Sequence, residues 1–282
     1  MASWNTSGWT CFLPTKLLRE LPMTAFLRRA LAHPLTLDPD LNLDNPETTD
    51  LHRTIIQSKP FLKSIYEEWY RLVAQWLPGG SAPIVELGSG AGFAGEFLPG
   101  LITSEVCFFP SVQIIFDGQA MPFRDASLRG VAMVNVLHHV PDVRRLFEEA
   151  SRCLKPGGRI VAIEPWVSSW SRLVYTNLHH EPFDASSQEW AFPTGGRLSA
   201  ANGALPWIVF ERDRKRWEAE FPDLQVKMIR GMMPFRYLIS GGIATRSLMP
   251  SFFFPLWRGI ERLLDPLMNR LAMFALIVIE RR

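Results

Sequence analysis

The chain has 282 residues, of which 47% are hydrophobic and 21% charged, and its formal net charge is +2. This size suits one large α/β domain with insertions, or one domain with a small cap, and the apolar fraction can form a sizeable core. A net charge so close to zero lacks the electrostatic signature of a nucleic-acid-binding protein. We therefore expect no nucleic-acid partner.

The three cysteines, Cys11, Cys107 and Cys153, are widely separated in the sequence. They form neither a CxxC pair nor an even-numbered framework, which argues against a zinc ribbon and a disulfide scaffold. No apolar run reaches the roughly 18 residues needed to span a bilayer. The N-terminus also lacks the ordered regions of a signal peptide. These features together predict a cytoplasmic protein.

Residues 1–80 are predicted to form an N-terminal helical extension. A short helical pattern over 16–32 is followed by a stretch rich in Pro, Asp and Asn, which continues to residue 50. Over 58–76, apolar and polar side chains separate onto two faces at helical spacing, which predicts an amphipathic helix. Core packing is the commonest use of the aromatic residues on such a helix.

Strands and helices alternate over 81–164. Alternation of this kind predicts a parallel sheet covered by helices. The predicted strands cover 83–87, 101–106, 112–116, 130–136 and 159–164, and the predicted helices cover 91–98 and 142–154. Only five residues, 107–111, separate the second and third strands, whereas a parallel crossover usually needs a dozen or more. Either a loop replaces the helix there, or one of the two strands is wrong.

The regular pattern lapses over 165–222, which is rich in Trp, His, Pro and Ser and which we interpret as an insertion that caps the substrate. Residues 223–282 are predicted to complete the sheet, with strands over 224–232 and 273–280 and an amphipathic helix over 254–271. Segment 249–257, with its aromatic residues and nearby arginines, could touch a membrane surface weakly. Packing of this segment on the sheet is the interpretation that we favour.

Three glycines, Gly88, Gly90 and Gly92, directly follow Glu86 and the first predicted strand. Glycine lets the backbone turn tightly and approach a ligand closely, and open α/β sheets bind ligands at the carboxyl ends of their strands. The dinucleotide fingerprint G-x-G-x-x-G would have its third glycine where this chain has Phe93. The spacing therefore favours S-adenosylmethionine over a dinucleotide site or a purely structural turn.

Glu105 lies at the end of the second predicted strand, where a carboxylate can accept hydrogen bonds from both hydroxyls of a ribose. Both NAD and S-adenosylmethionine carry such a ribose, so Glu105 indicates an adenosine cofactor without choosing between them. The alternative is an ordinary exposed acid at a strand end.

Four segments in order resemble the Rossmann-like (class I) S-adenosylmethionine-dependent methyltransferases with a type 11 methyltransferase domain. They read Ile-Val-Glu-Leu-Gly-Ser-Gly-Ala-Gly at 84–92, Asp-Gly-Gln-Ala-Met-Pro-Phe at 117–123, Val-Asn-Val-Leu-His-His-Val at 134–140 and Leu-Lys-Pro-Gly-Gly-Arg-Ile at 154–160. The resemblance implies an α/β fold with a Rossmann-like, seven-stranded, mostly parallel sheet, helices on both faces and an antiparallel final strand. It also implies S-adenosyl-L-methionine as cofactor and S-adenosyl-L-homocysteine as product.

The resemblance further implies that 81–164 is the cofactor-binding half of the domain and that the helix over 58–76 closes over the cofactor as a lid. It also implies which residues bind the cofactor. The methionine part would lie on the segment from Glu86 to Gly92, and Glu105 would hold the ribose. The full implied set is Glu86, Gly88, Ser89, Gly90, Gly92 and Glu105, with Asp117, Gly118 and Gln119 at the adenine and Asn135, Leu137 and His138 below the cofactor. Where the family continues its second strand into a helix, this chain has Val-Cys-Phe-Phe-Pro at 106–110, which leaves the contacts beyond Glu105 open.

The candidate catalytic residues are His138, His139, Glu164, His179 and His180. His138 and His139 follow a strand end, and an imidazole with a pKa near 6.5 suits proton transfer; their alternative roles are capping a turn and packing in the core. Glu164 ends the fifth strand and is expected to face the substrate as a second base candidate.

The segment 179–184, His-His-Glu-Pro-Phe-Asp, holds two imidazoles and two carboxylates. They could ligate a metal, deprotonate a substrate hydroxyl or only satisfy backbone groups in a polar loop. We assign no metal to the chain at this point.

These observations predict a methyltransferase acting on a small-molecule acceptor by O- or N-methylation, with a sugar, a lipid-linked precursor or a secondary metabolite as examples. The donor methyl group is already activated, so the protein mainly supplies position and a dry pocket. The alternatives are an NAD-dependent oxidoreductase and a non-catalytic, cofactor-binding or membrane-peripheral protein. The sequence defines neither the acceptor nor the oligomeric state.

Overall fold

A seven-stranded sheet with the order β3-β2-β1-β4-β5-β7-β6 lies at the centre of the structure. The structure is a computed structural model, and it describes residues 32–36, 46–179, 181–192 and 201–282. The strands are β1 Ile84–Leu87, β2 Leu101–Glu105, β3 Ile114–Ile115, β4 Leu128–Val134, β5 Leu154–Pro165, β6 Leu224–Met232 and β7 Phe274–Arg281. Strands β1 to β5 are paired in parallel, and β7 runs antiparallel to both β5 and β6. The predicted sheet, including its antiparallel final strand, is confirmed.

Helices cover both faces of this sheet because successive strand residues point to opposite sides. Val85 and Leu87 of β1 belong to one buried cluster, and Ile84 belongs to the cluster on the other face. The helices are α1 Pro46–Ser58, α2 Pro60–Trp76, α3 Val143–Cys153, α4 Ser169–Leu178, α5 Leu205–Trp207, α6 Arg214–Glu220, α7 Arg236–Ile239, α8 Phe254–Leu263 and α9 Met268–Leu271. The first cluster packs under α3 and α6, and the second packs under α2.

Three predicted segments differ in the structure. The helix predicted over 91–98 is only a 3-10 turn, Ala94–Glu96. The helix predicted over 254–271 breaks into α8, a 3-10 turn at Asp265–Leu267 and α9, because Pro266 has no N–H to continue an α-helix. The segment 165–222, predicted as irregular, contains α4, α5 and α6, which are too short to show a clear helical period in the sequence.

The connection between β2 and β3 is the loop 106–113, without a helix. Phe109 is buried in this loop, and the Gln113 N–H donates to the Thr103 carbonyl at 3.1 Å. The backbone of β2 therefore holds the loop directly. Of the two explanations that the sequence left open, a loop in place of the crossover helix is the one found.

The N-terminal helices lie against the glycine turn that follows β1. The predicted amphipathic helix is confirmed as α2, whereas α1 before it was not predicted because its sequence continues a Pro/Asp/Asn-rich stretch. The helical pattern over 16–32 lies outside the described residues except for Ala32. The predicted domain boundaries stay a prediction. Across the described ranges, none of the helices combines the length and apolar character required to cross a bilayer.

Candidate active site

The turn after β1 adopts a conformation that only glycine tolerates well. Gly88 and Gly90 have φ values of +62° and +41°, in the left-handed region. A Cβ on Gly88 would lie 2.6 Å from Val136 Cγ2, and a Cβ on Gly92 would lie 2.6 Å from the Tyr70 hydroxyl oxygen. The turn therefore packs directly against the segment that follows β4 and against α2.

Two serines join this turn to the end of β2. The Ser89 N–H donates to the Ser104 carbonyl at 2.9 Å, and the Ser104 N–H donates to Ser89 Oγ at 3.1 Å. The Ser104 hydroxyl in turn donates to the Glu86 carbonyl at 2.6 Å. These bonds fix the carboxyl ends of β1 and β2 side by side, and with them the two acidic side chains that the strands carry.

Glu105 occupies the position beside the turn that the ribose interpretation requires. Its Oε2 accepts a hydrogen bond from the Val106 N–H at 3.1 Å, and its Oε1 would lie 3.2 Å from a Cβ on Gly90. The carboxylate is thus held by its own backbone next to the glycine turn. Its role toward a ribose stays a prediction.

Glu86 and Asn135 each present a buried oxygen, Glu86 Oε2 and Asn135 Oδ1, without a hydrogen-bond partner among the described residues. Asn135 follows β4 with a φ of +57°, an unusual backbone conformation for a residue other than glycine. The two oxygens belong to the ends of adjacent strands, β1 and β4. An ammonium group, which has three donors and no acceptor, matches such a pair.

The Glu86 carboxyl has a raised pKa of about 7. Burial is the main cause, and a hydrogen bond from Ser89 opposes it, while repulsion from Glu105 adds to it. A cation bound beside Glu86 would favour its ionised form. We call Glu86, the turn 88–92, Glu105 and Asn135 the cofactor cradle.

The two side chains predicted to contact the adenine, Asp117 and Gln119, are hydrogen-bonded to each other. Gln119 Nε2 donates to both carboxylate oxygens of Asp117, at 3.1 and 3.0 Å, and Gln119 Oε1 accepts from the Asp142 N–H at 3.1 Å. Gly118 has Leu87 and Leu146 packed against it, each 3.2 Å from where its Cβ would lie. This arrangement places two polar side chains beside an apolar floor, and their contact with an adenine stays a prediction.

His138 lies in the 3-10 turn Leu137–His139, which directly follows β4, and is almost fully buried. Its Nδ1 is 2.6 Å from Glu164 Oε2, and its Nε2 is 3.5 Å from Glu181 Oε2. Burial lowers the pKa of His138, but hydrogen bonds and charges from Glu164 and Glu181 outweigh it and raise the pKa to about 9. The imidazole is therefore held between two carboxylates.

Glu164 is fully buried and does not face open substrate space, contrary to the expectation from the sequence. Its Oε1 accepts hydrogen bonds from the Val136 and Leu137 N–H groups, both at 2.8 Å, and its Oε2 contacts His138. A strand-end position predicts exposure toward a ligand, but here the β4 turn folds over the end of β5. Glu164 orients His138 and the backbone of the β4 turn.

Glu181 is the residue of this region that the sequence did not single out as catalytic. Its carboxylate reaches three imidazoles, with His139 Nε2 and His179 Nδ1 each 3.9 Å away in addition to His138. Hydrogen bonding and the charges of these histidines overcome the effect of burial and lower the pKa of Glu181 well below its usual range. His180 lies outside the described residues.

The signal that could have indicated Glu181 was its position directly after His179 and His180 in the sequence, since an acid next to two histidines suits a shared site. We call His138, His139 and Glu181 the histidine–glutamate cluster. The structure brings His138, His139 and His179 together around Glu181.

Comparison with known proteins decides between the cofactors that the sequence left open. The family described as "Methyltransferase domain" matches residues 86–162, a range that begins at the end of β1, includes the glycine turn and β2 to β4, and ends within β5. This chain carries a methyltransferase domain. The match confirms the predicted family and, with it, S-adenosylmethionine as the cofactor of the domain.

Solved structures of methyltransferases are similar to this chain. A geranyl diphosphate C-methyltransferase from Streptomyces coelicolor A3(2) is 16% identical, with 88% of this chain and 87% of that chain covered and a TM-score of 0.50. An S-adenosylmethionine-dependent methyltransferase from Mesorhizobium loti is 17% identical, with 76% and 97% covered and a TM-score of 0.44. No curated protein matches the chain. At 16% identity the Streptomyces structure supports the fold and not the acceptor.

Proposed function

We propose that this methyltransferase domain transfers the methyl group of S-adenosylmethionine to an oxygen or nitrogen of a small molecule. The acceptor is held beside the histidine–glutamate cluster. The observation that carries the proposal is the pair of unpartnered buried oxygens, Glu86 Oε2 and Asn135 Oδ1, at the end of adjacent strands. His138 follows Asn135 by only three residues, so the cluster begins where the cofactor cradle ends.

The cradle residues fit the functional groups of the cofactor. Glu86 and Asn135 supply acceptor oxygens for its ammonium group, and Glu105 supplies a carboxylate for its ribose hydroxyls. When bound, the cofactor supplies a methyl group on a positively charged sulfur. The glycine turn contributes close approach of the backbone, and α1 covers the turn, since the Arg53 guanidinium donates to the Gly92 carbonyl at 2.8 Å.

On the acceptor side, the residues differ in burial, and this difference suggests their roles. His138 is 3% exposed at its side chain, whereas His139 and Glu181 are 13% and 19% exposed. His139 and Glu181 can therefore meet an acceptor, with His139 taking its proton while Glu181 balances the resulting charge. His138, fixed by Glu164, acts as a positioning residue.

The Streptomyces enzyme was crystallised with geranyl diphosphate, which is itself a small molecule. The acceptor that we propose for the present chain is likewise a small molecule. It does not identify the acceptor here, because the identity of 16% supports a shared fold alone.

Calorimetry with S-adenosylhomocysteine tests the cofactor half of the proposal. Glu105→Gln keeps the size of the side chain but removes its charge, and we expect binding weakened about tenfold or more, or about 1.4 kcal/mol. Glu96→Gln, at an exposed acid of the neighbouring 3-10 turn, is the matched control and should bind as the parent chain does. Binding of NADH in place of S-adenosylhomocysteine would reject the proposal.

Turnover with an isotopically labelled methyl donor tests the acceptor half. A panel of hydroxyl and amine acceptors is incubated with the parent chain and with His139→Ala. The variant should lose most of its turnover while its affinity for S-adenosylhomocysteine stays the same, because His139 does not belong to the cradle. Normal turnover in His139→Ala would remove this residue from the acceptor site.

We also propose a weak contact between α8 and an anionic membrane surface. Leu256 on α8 is 58% exposed, and Phe252, in the 3-10 turn Ser251–Phe253 directly before α8, is 73% exposed. Arg258 and Arg262 of α8 are exposed as well. Exposed apolar and basic residues on one helix are typical of interfacial binding. Phe254 and Trp257 do not contribute, because they pack against the protein core as the sequence predicted.

Co-sedimentation with vesicles tests this contact. Leu256→Glu should reduce binding to phosphatidylserine-containing vesicles, while Leu173→Glu, at an equally exposed leucine of α4, should not. Equal binding by both variants, or equal binding to pure phosphatidylcholine vesicles, would contradict it.

A further inference from the structure

The histidine–glutamate cluster has the arrangement of a metal site. One nitrogen from each histidine and one carboxylate oxygen of Glu181 all lie within 4.8 Å of one another. His138 Nε2 lies 3.5 Å from Glu181 Oε2, and His139 Nε2 lies 3.9 Å from Glu181 Oε1. The first separation is at the outer limit of a hydrogen bond, and the second exceeds it. Ligand atoms around one ion with bonds of about 2.0–2.1 Å are separated by roughly 3.3 Å in tetrahedral geometry, so small movements would bring them to an ion.

The surroundings of His138 support the same interpretation. Histidines that bind metals donate their other ring N–H to a carboxylate or a carbonyl, which fixes the ring and the tautomer. Here Glu164 Oε2 lies 2.6 Å from His138 Nδ1, and Glu164 itself is fixed by the backbone N–H groups of Val136 and Leu137. When Nδ1 carries its proton toward Glu164, the lone pair on Nε2 faces the Glu181 carboxylate. The place between Nε2 and Oε2 can be filled by a proton on Nε2 or by a metal ion that displaces it.

We propose that His138, His139 and Glu181 bind one divalent transition-metal ion, of which Zn²⁺ is the representative. Two imidazoles and one carboxylate are the donor set that Zn²⁺ accepts in catalytic sites, whereas Mg²⁺ favours oxygen ligands. The two positive charges of the ion would balance the negative charges of the Glu181 carboxylate and the nearby Glu164 carboxylate. Three protein ligands leave a coordination position open.

The open position indicates the class of acceptor, and this part rests on the proposed methyl transfer. His139 and Glu181 are partly exposed, so the open coordination position of the ion would face the place where we propose that the acceptor binds. An ion of this kind lowers the pKa of a hydroxyl bound to it. With the ion bound, His139 is a ligand and no longer the base, so the acceptor oxygen loses its proton to water and uses the freed electron pair to bond the methyl carbon. The carbon–sulfur bond breaks with its electrons remaining on sulfur, which gives neutral S-adenosylhomocysteine. The acceptor is therefore a small molecule with a hydroxyl group.

Calorimetry with Zn²⁺ on the chelator-treated chain tests the site. We expect one Zn²⁺ per chain and much weaker binding of Mg²⁺. Glu181→Gln and His139→Ala should each lower the Zn²⁺ affinity at least 100-fold. Glu164→Gln, which removes only the support of His138, should lower it about 10- to 100-fold. Glu189→Gln, an exposed acid in the same loop, is the matched control and should leave the affinity unchanged.

The outcomes of this experiment distinguish a failure of the metal site from a failure of the proposed function. Binding of S-adenosylhomocysteine without Zn²⁺ binding overturns the metal site and leaves the methyltransferase proposal intact. Zn²⁺ binding that survives both Glu181→Gln and His139→Ala places the ion elsewhere and also overturns the inference. Glu181→Gln is nearly isosteric, and circular dichroism of each variant shows whether a loss of binding reflects unfolding.

Cobalt substitution tests the open position with a readout other than activity. Co²⁺ in the site should give visible absorption bands that shift when azide is added, since azide can enter a free coordination position. Bands that azide does not change would show a closed site, and would overturn the binding of an acceptor hydroxyl to the ion.

Discussion

Glu86 combines a buried carboxyl, an unpartnered oxygen and a raised pKa of about 7 in one residue of the cofactor cradle. Its ordinary pKa is 4.5, so between pH 4.5 and 7 the folded chain holds a proton that the unfolded chain has lost. The contribution of Glu86 to stability therefore falls as the pH rises through this window, and the loss is complete above pH 7. Its size is on the order of 3 kcal/mol.

Glu86→Gln should remove this penalty. In urea denaturation without cofactor, the variant should be as stable as the parent chain near pH 4.5 and more stable at pH 8. Glu96→Gln, at an exposed acid, should show no such divergence. Equal stability of Glu86→Gln and the parent chain at pH 8 would show that burial does not disfavour the ionised form of Glu86.

A bound ammonium group would favour the charged form of Glu86, which gives a second consequence for the cradle. The affinity of the parent chain for S-adenosylhomocysteine should rise from pH 5 to pH 8, and the rise should be smaller in Glu86→Gln. Calorimetry at several pH values measures this. An affinity that rises equally in the two chains would show that another group is responsible.

The two halves of the site differ in how far individual residues could be predicted. Glu86, the glycines and Asn135 stand in contiguous motifs that directly adjoin predicted strands, so local sequence predicted their positions at the strand ends. Glu181 lies in a loop, and its contacts with His138 and His139 depend on how the cap folds back over the β4 turn. No local pattern encodes such a contact. In the same way, the fold of the β4 turn over the end of β5 buries Glu164, although its position at a strand end alone predicted that it faces the substrate.

At the scale of elements, α1 is held over the glycine turn by a polar contact. The Arg53 guanidinium on α1 donates to the Gly92 carbonyl at 2.8 Å, and Thr49 of the same helix lies near Gly90. If α1 closes over the bound cofactor, loss of this contact should speed its release. The helix itself should remain, because Ile55 and Ile56 are buried and anchor it independently.

Arg53→Ala should therefore weaken S-adenosylhomocysteine binding by roughly threefold to tenfold, a loss of about 1 kcal/mol that is typical of one hydrogen bond. Most of the change should appear in the dissociation rate, which stopped-flow fluorescence measures. Arg71→Ala, which removes an exposed i,i+4 pair with Glu67 on α2, is the control and should leave the rate unchanged. A slower association with unchanged dissociation would indicate that α1 guides entry and does not retain the cofactor.

The spacing of apolar residues predicted the strands and helices of the sheet region. Each of these elements buries one face, so its apolar residues repeat at the spacing of a strand or a helix. The segment 165–222 was harder, since α5 and α6 are short and their burial comes from single large side chains such as Trp217. One buried tryptophan stabilises a helix that shows no repeat in the sequence. The break at Pro266 was visible in the sequence, but the apolar pattern continues across it and favoured a single helix.

At the scale of the whole molecule, an ion network joins the N-terminal helices to the C-terminal ones. The Arg236 guanidinium donates to both oxygens of Glu68 on α2, at 2.9 and 2.8 Å, and its Nε donates to Glu261 on α8. Glu261 also accepts from the Phe235 and Arg236 N–H groups, at 3.0 and 2.8 Å. The side chains of Arg236 and Glu261 are both only 5% exposed. The network therefore fixes α2, which packs on the glycine turn, against the segment that follows β6.

Arg236→Ala should destabilise the chain by about 3–5 kcal/mol, because it leaves Glu261 buried and without its cation. The melting temperature should fall on the order of 10 °C. Arg258→Ala is the matched control, since Arg258 also contacts Glu68, at 3.4 Å, but is 47% exposed, and an exposed pair contributes at most about 1 kcal/mol. Because α2 also supports Gly92 through Tyr70, Arg236→Ala should weaken S-adenosylhomocysteine binding at temperatures where it is still folded. Equal melting temperatures for the two variants would show that the network adds nothing beyond a surface ion pair.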